Sequence, residues 1–253
     1  MRNRILIPSF GLCYLLACIT AQADWVFVDG TFANTEWSGD VIVYTTSGHD
    51  GFGQQTLTGN PAPCLENSLG IKGPGGLIIT SHFSNSALYN PAVEGAITEV
   101  RFSLDVIQTF TTGALLGVDL LLFQNDTYYA RTAGPDLTNS SVWGTLSHSG
   151  LVADDFSNIL PNGLFGSQHP VFSDQGSMIQ FGFLTSIQSN HADDVAGYMD
   201  NFGVVVVPEP SGEALIAYGA IGIIAYRFGK SFSSRNRAEL SHCPSPRAGK
   251  EIA

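Results

Sequence analysis

From Ile97 to Val106 the chain alternates between apolar and polar residues. Val100, Phe102, Leu104 and Val106 fall on one side of an extended backbone and Arg101, Ser103 and Asp105 on the other, because successive side chains of a strand point to opposite faces. Such a stretch is satisfied by a sheet with one face against a core. Shorter signals of the same kind surround it. Trp25 to Val28, Val41 to Thr46 and Gly76 to Phe83 read as strands. Met178 to Thr185 puts Ile179, Phe181 and Phe183 on one face. Val118 to Phe123 and Thr127 to Arg131 flank Gln124-Asn125-Asp126 and read as a hairpin. Tyr198 to Val207 is the last strand, and its wholly apolar end, Val204 to Val207, is the pattern of a strand covered on both sides.

No window carries sustained helical periodicity; at most one helical turn is expected at Val152 to Phe156. Gly, Asn, Asp, Ser and Pro punctuate the strands. These features predict an all-β domain over residues 24–207, an antiparallel β-sandwich of the jelly-roll type, with no internal repeat. A signal peptide precedes it and a single hydrophobic helix follows.

Three stretches read as long loops: Ser47 to Asn67, Ser84 to Gly95 and Ala133 to Ser141. A sandwich presents loops at its ends or over one sheet, where aromatic rings stack on sugars and Asn, Gln and Asp bond their hydroxyls. Trp37, Trp143, Tyr89 and Tyr129 are candidates by type, as is Tyr128. Tyr128 and Tyr129 are neighbours in a strand, so only one of them can line a given surface.

The domain holds three cations, Lys72, Arg101 and Arg131, against 14 Asp and 4 Glu. The whole-chain net charge of −11 therefore hides an acidic body between basic ends. Such a surface repels phosphates, which excludes a nucleic-acid role. It also supplies many oxygens suited to divalent cations. Cys64 is the one cysteine of the body and is expected in a loop as an unpaired, incidental thiol; Cys243 lies beyond the apolar tail segment, so no intrachain disulfide is expected.

Both termini look like addresses. Arg2 and Arg4 precede an apolar run, Ile5 to Ile19, closed by Ala21-Gln22-Ala23, which is the plan of a secretory signal peptide spanning residues 1–23. Leu15-Leu16-Ala17-Cys18 also resembles a bacterial lipobox, in which Cys18 would be lipidated. At the other end Val207-Pro208-Glu209-Pro210-Ser211 is followed by an uncharged apolar run, Ala214 to Tyr226, and by Arg227, Lys230, Arg235 and Arg237. Pro208 and Pro210 fix φ and remove two backbone donors, so no strand or helix is expected to pass through them. The cations would hold the end of the apolar run at the cytoplasmic face. The run is shorter than the roughly 20 residues of a spanning helix, and a polar tail over residues 238–253 follows.

This order of parts over residues 208–237 resembles the PEP-CTERM sorting signal of exported bacterial proteins. The resemblance implies transient anchoring in the inner membrane through the C-terminal helix. It also implies processing near Pro-Glu-Pro by an exosortase-type membrane transpeptidase, then a place at the cell surface or in the extracellular matrix of a Gram-negative-type bacterium. An ordinary single-span anchor is the other reading.

Asp29-Gly30-Thr31-Phe32 with Trp37, and Tyr198-Met199-Asp200-Asn201-Phe202, look like the opening and closing motifs of galactose-binding-like jelly rolls, which include many carbohydrate-binding modules. That likeness implies that the first loop meets the last strand. It also implies a structural Ca²⁺ at Asp200, with backbone oxygens near Asp29 and Thr31 as partners. Ala33 stands where an acidic residue is common in those domains.

Catalytic motifs are absent from the sequence: there is no Gly-x-Ser-x-Gly, no His-Glu-x-x-His and no Cys-x-x-Cys. Glu94, Glu99 and Asp119 are the carboxylates from which a glycosidase pair could be drawn. The expected function is a non-catalytic exported protein that recognises extracellular polysaccharide. A polysaccharide-active hydrolase or lyase, or a ligand-free surface protein, is the alternative on the same fold.

Overall fold

The computed structural model describes residues 23–45, 48–55, 57–138 and 140–210. The expected signal peptide, the apolar run and the basic cluster lie outside them. Among the described residues no helix is long and apolar enough to cross a membrane. The strands are β1 (Trp25–Asp29), β2 (Trp37–Tyr44), β3 (Gly48–Gln55), β4 (Cys64–Ile71), β5 (Gly76–Tyr89), β6 (Ile97–Thr111), β7 (Leu116–Gln124), β8 (Thr127–Arg131), β9 (Asp136–Thr138), β10 (Gly144–Leu151), β11 (Phe156–Asn158), β12 (Ile179–Ser189) and β13 (Asp193–Pro208). A one-turn helix, α1 (Pro91–Glu94), follows β5, and a 3-10 turn at Ala153–Asp155 fulfils the helical turn expected there.

The strands form two antiparallel sheets. The first runs β10-β6-β13-β4-β3, with β1 beside β13; the second runs β11-β8-β7-β12-β5-β2, with β9 beside β7. They make a β-sandwich whose core lies between them. Val100, Phe102, Leu104 and Val106 of β6 enter that core, as their alternation predicts, and meet Leu116, Val118, Leu120 and Leu122 of β7 and Ile179, Phe181 and Phe183 of β12. Aromatic rings cross the gap: Phe183 and Phe202 lie 5.9 Å apart by centroid, and Trp37 stands edge-on to Phe202 at 5.1 Å.

The β7–β8 hairpin turns on Asn125 and Asp126, both left-handed (φ 51° and 57°). Two residues with positive φ make the turn whose twist matches the strands it joins. Gln124 belongs to β7, opposite Thr127. Its side chain holds a distant segment: Nε2 donates to the carbonyls of Val171 and Ser177 at 3.0 and 2.9 Å, and Oε1 accepts from Val171 N at 2.7 Å.

Several expectations are corrected. The stretch read as a loop from Ser47 to Asn67 contains β3 and the start of β4, and Cys64 is a buried strand residue. Burial raises its thiol pKa to about 11, with Asp200 and Glu66 adding repulsion. β4 escaped notice because its inward row, Leu65, Asn67, Leu69 and Ile71, includes an amide. That amide is paired: Thr185 Oγ1 donates to Asn67 Oδ1 at 2.8 Å and Asn67 Nδ2 donates to Gly51 O at 3.2 Å. β5 continues to Tyr89 through a stretch read as loop, and β9 and β10 lie in or just beyond another. Nor is the end of β13 covered on both sides: Val204 and Val206 are buried, while Val205 and Val207 are only half-buried on the outer face.

One polar island sits inside the core. His82 Nε2 lies 3.2 Å from the hydroxyls of Thr80 and of Thr185, which share a 2.5 Å hydrogen bond. The imidazole stacks on Phe183 at 4.8 Å. Burial lowers its pKa to about 3, so His82 is a neutral core residue at physiological pH.

Candidate functional site

The second sheet has apolar residues on both faces. Its inner row fills the core. Its outer face carries a separate cluster of Val43, Ile79, Phe83, Leu121, Ala130 and Leu184, with Phe123 and Tyr128 packed against it. The sequence builds this face by alternation: Leu121 and Phe123 are the outward partners of the inward Leu120 and Leu122, and register sets Phe123 opposite Tyr128. Tyr128 stacks on Phe83 (6.0 Å, 23°) and leans on Phe123 (5.0 Å, 43°). The three rings, with Ser38, Asp40, Ser81 and Gln180, line a depression of about 210 Å³. Farther along β5 and β12 a groove of about 750 Å³ lies over Leu77, Ile79, Leu184 and Ser186, walled by Leu137, Phe165 and His191 among others. Burial, then the Asp40 charge, raises the Tyr128 pKa, so its phenol remains a protonated donor. An apolar, partly aromatic floor edged by hydroxyls, an amide and a carboxylate can hold a polyol by its C–H faces while bonding its hydroxyls.

Of the aromatic candidates from sequence, Tyr128 lies here and the others fall elsewhere. Trp37 is 4% exposed, its Nε1 donates to Asp29 Oδ2 at 2.7 Å, and its ring packs on Phe32 at 4.7 Å. Tyr89 is buried and its hydroxyl is held at the carbonyls of Glu94 (2.9 Å) and Gly95 (2.8 Å). Tyr129 faces the core. None of these three presents a ring face to a sugar. Trp143 is half-buried, just ahead of β10 in the other sheet. The outward ring is Tyr128. Its partner Phe83, an outward residue of β5, was missed because nothing local distinguishes it from a core phenylalanine.

The first loop does meet the last strand. A Cβ on Gly30 would stand 2.9 Å from Asn201 Oδ1 and 3.6 Å from Asp200 Oδ1, an approach that glycine permits. The acids there are held by N–H and O–H donors. Asp29 Oδ1 accepts from Thr31 N (2.6 Å) and Thr31 Oγ1 (2.7 Å), and Thr31 O accepts from Gln54 Nε2 at 2.5 Å. Burial opposes ionisation of Asp29, but the bonds from Trp37, Thr31 and Phe32 outweigh it and lower the pKa. Asp200 is fully buried; Oδ1 accepts from Asn201 N at 2.7 Å and Oδ2 from Asn60 N. Burial raises its pKa, the two backbone donors oppose the rise, and Asp105 and Asp29 add repulsion. Among the described residues no three His, Cys, Asp or Glu side chains are placed to hold a metal ion. Of the oxygens named for Ca²⁺, both Asp200 oxygens and the Thr31 carbonyl accept from N–H donors and so form a hydrogen-bonded junction.

The carboxylates considered for catalysis are each engaged locally. Glu94 accepts from Asn90 N at 2.6 Å, beside α1. Glu99, on the first sheet, accepts from Arg101 Nε (2.6 Å) and Gly150 N (3.1 Å). Asp119, on the second, is buried against Arg131 Nε at 2.5 Å, and Arg131 Nη2 reaches Asp136 at 2.9 Å. Burial outweighs the Arg131 contact and pushes the Asp119 pKa up to about 7.

Of the sorting-signal residues, Val207 and Pro208 lie in β13, and Glu209 and Pro210 are exposed just past it. Ser211, Arg227, Lys230, Arg235 and Arg237 lie outside the described residues.

No family model matches the chain, and no curated protein does. Among solved structures the chain is similar to the family 11 carbohydrate-binding module from Clostridium thermocellum in complex with a β-1,3-1,4-mixed-linked tetrasaccharide, at 10% identity and TM-score 0.42, covering 75% of this chain and 98% of that one. It is also similar to the CBM22-1 xylan-binding domain from Paenibacillus barcinonensis Xyn10C, at 11% identity and TM-score 0.38, covering 75% and 99%.

Proposed function

We propose that this protein is a non-catalytic polysaccharide-binding module of the cell surface or extracellular matrix. The observation that supports it best is the outer-face pair Phe123 and Tyr128, seated on the buried Phe83, ringed by Ser38, Asp40 and Gln180 and continued by a groove along the same strands. The described cations are Lys72, Arg101 and Arg131, and none is among the residues lining either depression. Uncharged chains are therefore the favoured ligands, since an acidic body repels polyanions. The test is affinity electrophoresis on neutral and acidic polysaccharides, with Tyr128→Ala and Phe123→Ala as controls. Retardation that the substitutions abolish, without release of reducing ends, supports the proposal. Release of reducing ends would mark an enzyme, and no retardation by any polymer would leave a ligand-free structural role.

Export and tail processing belong to the same proposal. They rest on the order of signal peptide, Pro-Glu-Pro, apolar run and basic cluster in the sequence. The partner for that step is an exosortase-type transpeptidase, with membrane association ending at cleavage.

A further inference from the structure

β13 does not stop short of the Pro-Glu-Pro motif but runs into it. Val207 lies opposite Glu99 and Pro208 opposite Ile97. Thr98 Oγ1 donates to Val207 O at 2.8 Å. Pro208 is buried, and past it Glu209 N still donates to Ala96 O at 2.7 Å. The compact unit that begins at Ala23 closes at Glu209. One residue before Val207, at Val206, the strand is paired on both sides, with Trp25 of β1 and Val100 of β6. Proteases and transpeptidases bind their substrates as free extended strands, so a bond inside a paired strand is reached only after local opening. Peeling the end of β13 would strip pairing from β6 and then from β1.

We infer that removal of the tail, a reading on which this inference rests, cuts on the C-terminal side of Pro210. The mature body keeps Pro208-Glu209-Pro210 as the closing piece of its first sheet. In that step the peptide C–N bond beyond Pro210 breaks. Its acyl carbon bonds to the oxygen of water, or to the nitrogen of an acceptor amine. The tail leaves as an amine carrying the proton that the water or acceptor gives up.

The test is C-terminal peptide mapping by mass spectrometry of protein recovered from the native host. It is paired with digestion of the full chain by a protease of broad specificity under native conditions. The expected result is a body whose last residue is Pro210 or a later one, and a resistant core with the same boundary. A mature chain, or a resistant core, ending at Glu209 or earlier overturns the inference while leaving processing intact. A chain recovered whole, with its basic tail, removes the processing reading and the inference with it.

Discussion

Tyr128 and Tyr129 are adjacent on β8 and face opposite ways. Tyr129 is 6% exposed in the core, whereas Tyr128 lies across the outer face of the sheet, stacked on Phe83 at 6.0 Å. One backbone step separates a core residue from one on the outer face, to which the proposal assigns recognition. Tyr128→Ala is expected to weaken polysaccharide binding about tenfold, on the scale of one aromatic contact, with little change in folding. Tyr129→Ala should do the reverse, destabilising the fold by roughly 3–5 kcal/mol. Affinity gels and urea denaturation of the two variants separate the roles, and equal loss of binding in both would refute the assignment.

Two buried titrating groups, His82 and Asp119, give stability slopes of opposite sign. The pKa of His82 is lowered to about 3 by burial, so between pH 3 and 6.5 the unfolded chain binds the extra proton. Its contribution is present above pH 6.5 and is lost as pH falls toward 3. The Asp119 pKa is raised to about 7 by burial, so its contribution is present below about pH 4 and is lost as pH rises to 7. Each slope is at most about 1.4 kcal/mol per pH unit. Asp119→Asn should make stability rise more steeply with pH between 4 and 6.5, and His82→Gln should make it fall. Denaturation midpoints across that window decide; unaltered slopes in both variants would contradict the burial argument.

Arg131 is the charged partner of a carboxylate that has no exposed surface. Asp119 is fully buried; its Oδ2 has no hydrogen-bond partner, and its Oδ1 accepts from Arg131 Nε and from Leu120 N. Arg131→Met is expected to destabilise by about 3–5 kcal/mol, because the acid loses its partner in a dry environment. Adding Asp119→Leu should recover part of that loss. A double variant no more stable than Arg131→Met, measured in urea, would speak against the pair.

At the junction of first loop and last strand, Asp29 and Asp200 accept from N–H and O–H donors of the chain itself. Thermal melting is therefore expected to show the same midpoint with and without chelator. Asp200→Ala should lower stability by about 1 kcal/mol, since it leaves the Asn60 and Asn201 N–H groups without their acceptor. A midpoint that drops on chelation would mean that Ca²⁺ displaces those donors, restoring the ion to Asp200.

Much of the fold was legible in the residues. β6 announced itself because its inward positions from Val100 to Val106 are all apolar, and the β7–β8 hairpin because Asn125-Asp126 tolerates a left-handed turn. β3 and β4 were not legible. Gly48, Gly51 and Gly53 carry no pattern, and Asn67 interrupts the inward row of β4 with a polar group whose partners, Thr185 and Gly51, lie on other strands. Of the aromatic residues named from sequence, Tyr128 stands on the outer face of the second sheet, while Trp37, Tyr89 and Tyr129 are buried. Trp37, Tyr89 and Tyr129 have the same composition signal as Tyr128, and burial alone tells them apart.

By itself, the order of residues determined that this chain makes strands, that one acidic domain lies between two basic ends, and that a proline pair closes it. These follow from local geometry and charge, which need no knowledge of distant partners. Only the tertiary structure decided which face of the second sheet is left open, which tyrosine stands on it, and that Asp29 and Asp200 are met by N–H donors. Those outcomes depend on register and on contacts between residues far apart in sequence, where a single step in pairing exchanges core for surface.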